Sequence, residues 1–176
     1  METPRLILRP WNEADAEDLY ACAKDPAVGP AAGWPVHKDV GNSRQIIRDV
    51  LSKPGIFAVV LKRTGRAVGT IGITMGEQSN LVLPEREGEL GYWIGQDYWG
   101  QGLIPEAAER ILRYGFEELG LRKIWCSCFE ENSKSRRVQE KCGFLYQYTA
   151  ETVWGGQSRT ERVSCMCISQ WRKNGR

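Results

Sequence analysis

Hydrophobic and polar positions along the chain fall into segments of two periods. Residues 6–8, 56–62, 67–75, 89–94, 123–129, 145–154 and 160–168 are short runs rich in branched and aromatic side chains, and they predict strands. Between them, apolar residues recur every three or four positions. Asn12 caps a predicted helix to about Ala23, with Ala16, Leu19, Tyr20 and Ala23 on one face. Residues 39–51 predict a second helix through Val40, Ile47, Val50 and Leu51. A third starts at Pro105 and carries Ala107, Ala108, Ile111, Leu112, Gly115 and Leu119. A short fourth covers residues 134–142 and stops at Gly143. Turns at residues 63–66 and at Gly155-Gly156 predict hairpins. The expectation is an α/β (mixed α+β) fold of about seven strands and four helices around a central mixed, mostly antiparallel sheet. Hairpins at both ends exclude a purely parallel sheet, and the helix from Pro105 crosses between two parallel strands. Without repeats or linkers, residues 1–176 read as a single domain.

The stretch from Gly88 to Leu121 organises the rest. It reads as a buried strand ending at Gly95, a loop in which Gly100 and Gly102 flank Gln101, and a long amphipathic helix. A glycine loop feeding a helix start binds anions: backbone N–H groups point outward, glycine permits close approach, and the helix dipole favours negative charge. Pro105 suits the first helical position, where its missing N–H would have had no partner. Gly used simply for a tight turn is the bland alternative. A dinucleotide site is disfavoured, because Pro105 stands where G-x-G-x-x-G needs its third glycine and no long strand–helix series surrounds it.

Composition narrows the classes. Lys plus Arg number 24 against 22 Asp plus Glu, a formal charge of +2, so no electrostatic case exists for nucleic acid. No apolar run is long enough for a signal peptide or a membrane span, which predicts a cytoplasmic protein. The six cysteines include the pairs Cys126/Cys128 and Cys165/Cys167 in alternating segments, and they read as buried free thiols in a reducing compartment. Zinc wants other spacings or histidine partners, so no metal is expected. His37, the one histidine, lies in a Gly/Pro-rich loop, which leaves a Ser-His-Asp triad without support.

Three segments occur in a telling order: ETPRLILRPW, GELGYWIGQDYWGQGLIPEA and ENSKSRRVQEKCGF. Together they resemble the GNAT superfamily of acyl-CoA-dependent N-acyltransferases, in its RimJ/RimL-like branch, across nearly the whole chain. The resemblance implies a splayed parallel central strand pair that admits acetyl-CoA. It implies that backbone N–H groups of Gly100, Gln101, Gly102, Leu103 and Ile104 hold the pyrophosphate. Ile104 stands where the family has a small residue, and Pro105 removes one N–H and pushes Ile104 from helical dihedrals. The backbone of Trp93 and Ile94 would pair with the pantetheine arm, and the Ile94 N–H would meet the oxyanion.

Asn132 and Ser135 resemble the family's second coenzyme motif, with helix capping as the ordinary alternative for Asn132. Lys134, Arg136 and Arg137 read as a solvated basic face. Glu89 matches a frequent carboxylate and is the expected base, the alternative being an exposed charge at the strand edge. Trp34 is either part of the acceptor wall or a core plug. Many members place Tyr seven residues after the Asn as proton donor; here Gln139 stands there, with Tyr98 and Tyr146 as unplaced substitutes.

The implied reaction is direct acetyl transfer to a primary amine in a ternary complex, since no cysteine matches a nucleophile position. An α-amino group of pKa about 7.8 is roughly one-tenth neutral at pH 7, whereas a lysine near 10.4 costs about 3.5 kcal/mol more to neutralise. A protein N-terminus or a small-molecule amine are both open as acceptor, as is a homodimer. The alternative function is a GNAT-fold module that binds coenzyme A with weak catalysis, kept open by Gln139 and Ile104-Pro105.

Overall fold

The computed structural model describes residues 1–154 and 156–173, with the side chain of Trp154 left out. Gly155, placed above in the last hairpin turn, lies outside the described residues. One seven-stranded sheet has the order β1-β2-β3-β4-β5-β7-β6. Its strands are β1 (Leu6–Arg9), β2 (Ile56–Leu61), β3 (Ala67–Thr74), β4 (Glu87–Ile94), β5 (Lys123–Phe129), β6 (Leu145–Trp154) and β7 (Gln157–Cys167). The helices are α1 (Ala16–Ala23), α2 (Val40–Ile46), α3 (Leu103–Arg113), α4 (Ser133–Cys142) and α5 (Ile168–Lys173). The mixed, mostly antiparallel sheet is as expected. β4 and β5 run parallel, registered from Glu87↔Lys123 to Glu89↔Trp125; β4 then continues to Ile94 and β5 to Phe129.

Several boundaries differ from the sequence reading. α2 and α3 each relax into a π-helical turn, at Ile47–Leu51 and Tyr114–Glu118. β7 begins three residues earlier than expected, and α5 replaces the expected end of that strand. α3 begins at Leu103, so Pro105 is its third residue rather than its first, and Ile104 is helical. The proline is still tolerated, because N–H groups of the first turn have no partner within the helix.

The chain forms two compact units. The first comprises residues 1–72 and 92–107. Its core gathers Trp11, Leu19, Ile47, Leu51, Ala58 and Val60, with Ile7, Ile56, Trp34 and Trp93 packed against it. Helix α1 turns Ala16, Leu19 and Ala23 inward, the face its periodicity predicts. Asn12 opens this region with a capping box: its side chain accepts from Ala14 N–H at 2.9 Å and its own N–H donates to Asp15 at 2.9 Å.

The second unit comprises residues 73–91 and 108–176. Ile73, Leu90, Ile111, Leu112, Leu121, Ile124 and Met166 are fully or almost fully buried there. The Phe116 and Trp171 rings meet at 5.2 Å. β7 pairs antiparallel with both β5 and β6, with a bulge between Tyr146 and Tyr148.

Candidate active site

In the first unit, the loop before α3 is shaped by two glycines. Gly100 and Gly102 both have φ of 74°, the left-handed region that side-chain-bearing residues rarely adopt. A Cβ on Gly100 would meet nothing within 4 Å, and one on Gly102 would meet only Arg5 Nη2 at 3.7 Å. The glycines therefore serve backbone conformation and leave open space beside it. Glu106 N–H makes an i→i−4 bond to the Gly102 carbonyl at 3.2 Å. The earlier amides of Gly102, Leu103 and Ile104 have no such partner upstream and concentrate the positive end of the helix dipole. The side chains of Leu103 and Ile104 are buried, which anchors the helix start.

Arg5 braces this loop from β1's approach. Its Nη1 donates to the Gln101 carbonyl at 3.0 Å, and its Nε donates to Glu106 Oε2 at 2.6 Å. Glu106 Oε1 also accepts from Thr3 Oγ1 at 2.5 Å and from Arg5 N–H at 2.9 Å. Burial raises the Glu106 pKa, but these donors and the Arg5 charge outweigh it and hold the carboxyl below its usual range. Glu106 is thus a charge already neutralised beside an anion site. No local signal predicts this tie, since Arg5 and Glu106 are 101 residues apart.

The end of β4 presents a backbone amide. Gly95 N–H bonds to the Val68 carbonyl of β3 at 2.9 Å. Backbone groups alternate sides along a strand, so the N–H of Ile94 points to the edge away from β3. The Ile94 carbonyl, on that same edge, accepts from Trp99 Nε1 at 2.9 Å. Trp99 therefore fixes the strand end through its indole. Trp99→Phe is expected to lower stability by about 1 kcal/mol, measured by urea denaturation; an unchanged midpoint would remove Trp99 from this role.

Trp93 is half-buried against Trp11, with centroids 6.5 Å apart, and Trp34, at 5.4 Å. Trp34 is half-buried itself and lies over Gly29, where a Cβ would sit 2.6 Å from its ring. It packs on the core and also stands beside β4's last residues, so the two readings of Trp34 coincide. His37 is buried 5.2 Å from Trp34 with Nδ1 2.8 Å from Ser43 Oγ, and burial lowers its pKa. It belongs to a packed, neutral environment.

In the second unit, Glu89 is 5% exposed, which corrects the alternative of an exposed edge charge. Its Oε2 accepts from Ser79 Oγ at 2.8 Å and Asn80 N–H at 2.7 Å. Its Oε1 has the longer contact, to Ser127 Oγ at 3.4 Å. Glu87 shares β4 but is occupied by Trp125 Nε1 at 2.5 Å and Lys123 Nζ at 3.8 Å. Asn132 caps α4, accepting from Ser135 N–H at 3.0 Å, so the ordinary role is real. Gln139, one turn beyond Ser135 on the same helix face, is 2% exposed. Tyr146 is exposed, with its hydroxyl 3.1 Å from Thr149 Oγ1 and Arg162 over its ring. Tyr98 ends a short 3-10 turn beside Gly95.

All six cysteines are free thiols, four of them buried. Burial pushes Cys22 and Cys165 up to about 11 and raises Cys128 as well. Such thiols are protonated at neutral pH and poor nucleophiles. No group of three or more His, Cys, Asp or Glu among the described residues is placed to hold a metal ion. No helix among them is long and apolar enough to cross a membrane.

The structure thus gathers Trp34, Trp93, Ile94 and the loop from Gly100 to Ile104 in the first unit, and Glu89, Asn132 and Ser135 in the second. Residues 5–145 match the Acetyltransferase (GNAT) domain family. A Bacillus licheniformis protein named "Uncharacterized N-acetyltransferase p20" is 31% identical over 147 residues, 81% of this chain and 80% of that protein. The "FsC-acetyl coenzyme A-N(2)-transacetylase" of Aspergillus fumigatus is 38% identical over 156 residues, 85% of this chain and 66% of its own length. Among solved structures, a putative ribosomal-protein-serine acetyltransferase from Vibrio cholerae superposes with a TM-score of 0.78 at 25% identity, covering 94% of this chain and 95% of that one. The chain belongs to the GNAT acetyltransferase family and is an N-acetyltransferase of that type. Acetyl-CoA is the acyl donor that this family uses.

Proposed function

We propose that this protein, acting as one acetyltransferase domain, moves an acetyl group from acetyl-CoA to a primary amine by direct attack in a ternary complex. The observation that carries this reading is the pair of left-handed glycines opening onto the start of α3, directly after a strand whose last amide faces away from its partner. Open space beside Gly100 and Gly102 fits a pyrophosphate, held by N–H groups of Gly100, Gln101, Gly102, Leu103 and Ile104. Pro105 leaves that cradle one donor short of a full first turn. Trp93 and Ile94 supply backbone along the pantetheine arm. Asn132 and Ser135 add contacts from the start of α4 while Asn132 keeps its capping bond.

The thioester supplies an activated acyl carbon. The Ile94 N–H stabilises the oxyanion that forms as the amine attacks. Glu89 takes the amine proton at Oε1, the carboxylate oxygen with the weaker protein contact, directly or through one water. Trp34 forms an apolar wall of the acceptor site. The acceptor is an α-amino group of a protein N-terminus or a small-molecule amine of similarly low pKa, for which one carboxylate is base enough. The names of the two relatives above, one acting on FsC and one on a ribosomal protein, support either kind. High thiolate demand on cysteine is absent from this scheme, consistent with the raised thiol pKa values.

The test is release of coenzyme A thiol with a panel of N-terminal peptides, lysine peptides, polyamines and aminoglycosides. One acceptor class should drive release. Glu89→Gln keeps an oxygen for Ser79 and Asn80 and is expected to slow release about a hundredfold with unchanged acetyl-CoA affinity. Equal rates in both proteins would remove Glu89 as base. Tight coenzyme binding with no release from any amine would favour the module that binds without efficient catalysis.

A further inference from the structure

Gln139 poses a physical problem that the proposed reaction leaves open. Its side chain is 2% exposed, and neither Oε1 nor Nε2 has a hydrogen-bond partner among the described residues. A primary amide offers two donors and an acceptor with two lone pairs, and burying them unpaired is costly. Its neighbour Cys128, on β5, lies against both Gln139 and Ser135, but a thiol is a weak partner in either direction. The amide therefore stands on the face of α4 that carries Ser135, with bonding capacity that the protein does not use. An apolar residue of the same size would fill that space at lower cost. Such a group persists where a ligand completes it.

We infer that Gln139 contacts the acyl donor, donating from Nε2 to the sulfur of coenzyme A as the thiolate leaves. The inference rests on the reading of the site as an acetyl-CoA site. An amide N–H does not surrender its proton at neutral pH, so Gln139 stabilises charge rather than acting as an acid. When the tetrahedral intermediate collapses, the carbon–sulfur bond breaks and its electron pair stays on sulfur. The nitrogen, cationic after attack, gives up one proton and the sulfur gains one, relayed through Glu89 and water. The products are the N-acetyl amine and free coenzyme A, with no outside acid consumed. Hydrogen bonds to charged groups are about twice as strong as neutral ones, so this donor acts most strongly as the thiolate forms.

The experiment compares wild type with Gln139→Met, a change of similar volume that removes both polar atoms. Affinities for coenzyme A and for desulfo-coenzyme A, which lacks the sulfur, are measured by calorimetry. kcat and the melting temperature of the ligand-free protein are measured alongside. The variant is expected to melt at or above the wild-type temperature and to lose about tenfold or more in kcat with the amine KM unchanged. Wild type is expected to bind coenzyme A several-fold more tightly than the desulfo compound, and the variant to lose that preference. An equal preference in both proteins would overturn the inference, as would an unchanged kcat. Failure of the variant to fold would overturn it too, because it would show that the amide serves the fold. If wild type binds neither compound, the acetyl-CoA reading itself fails, an outcome distinct from the others.

Discussion

Replacing Gly100 with Asp is expected to weaken coenzyme A binding about a hundredfold, while Gly100→Asn stays within a few-fold of wild type. Both residues tolerate the left-handed conformation better than other non-glycine residues, so the φ of 74° is kept in each. Neither meets a neighbour, since nothing lies within 4 Å of a Cβ there. The two variants therefore differ mainly in charge. A carboxylate within about 4 Å of a pyrophosphate opposes it by about 4 kcal/mol at an effective dielectric of 20, less where water reaches the pair. Calorimetry with coenzyme A separates the outcomes. Equal losses in Asp and Asn would mean that shape governs the loop. No loss in either would place the pyrophosphate elsewhere.

Gly69→Val should have the largest effect on stability, about 3 kcal/mol or more. Gly69 lies in β3, where an added Cβ would sit 2.4 Å from the Trp93 carbonyl oxygen and 2.9 Å from Ile94 Cα. These are backbone atoms and cannot rotate aside. The end of β4 would have to shift, carrying with it the amide proposed for the oxyanion. Gly91→Val is the control, because a Cβ at Gly91 meets nothing within 4 Å. Urea midpoints for the two variants should differ widely. Similar midpoints would mean that the strands adjust at little cost.

Much of this architecture is legible in the residues because it depends on local period. The runs 56–62 and 67–75 became β2 and β3 nearly to the residue, and the face of α1 is the one its apolar spacing selects. Short or mixed signals misled. The six residues of α5 are too few to show a period after a long strand. The rule that favours Pro at the first helical position put the start of α3 at Pro105, whereas the left-handed Gly102 already ends the loop and Leu103 begins the helix. At the site, the glycine cradle could be read because its conformation is written in its own sequence. The burial of Glu89 could not: Ser79, Asn80 and Ser127 reach it from 10, 9 and 38 residues away. Asn132 shows the third case, one side chain serving a cap that local rules foresee and a coenzyme contact that they cannot.

The brace from Thr3 and Arg5 to Gln101 and Glu106 also orders events in time. A ribosome adding roughly 5–20 residues per second releases the first strand several seconds before the cradle it supports. During that interval Arg5 has no Glu106 to pair with, and β1 must wait for β2, synthesised about 50 residues later, before it joins a sheet. Closing a loop of about 100 residues carries a larger entropic cost than closing the β2–β3 hairpin, so the local hairpin has the head start. The anion site is accordingly a late product of folding. A nascent chain held before residue 106 has its amino terminus and several strands but no finished place for a phosphate.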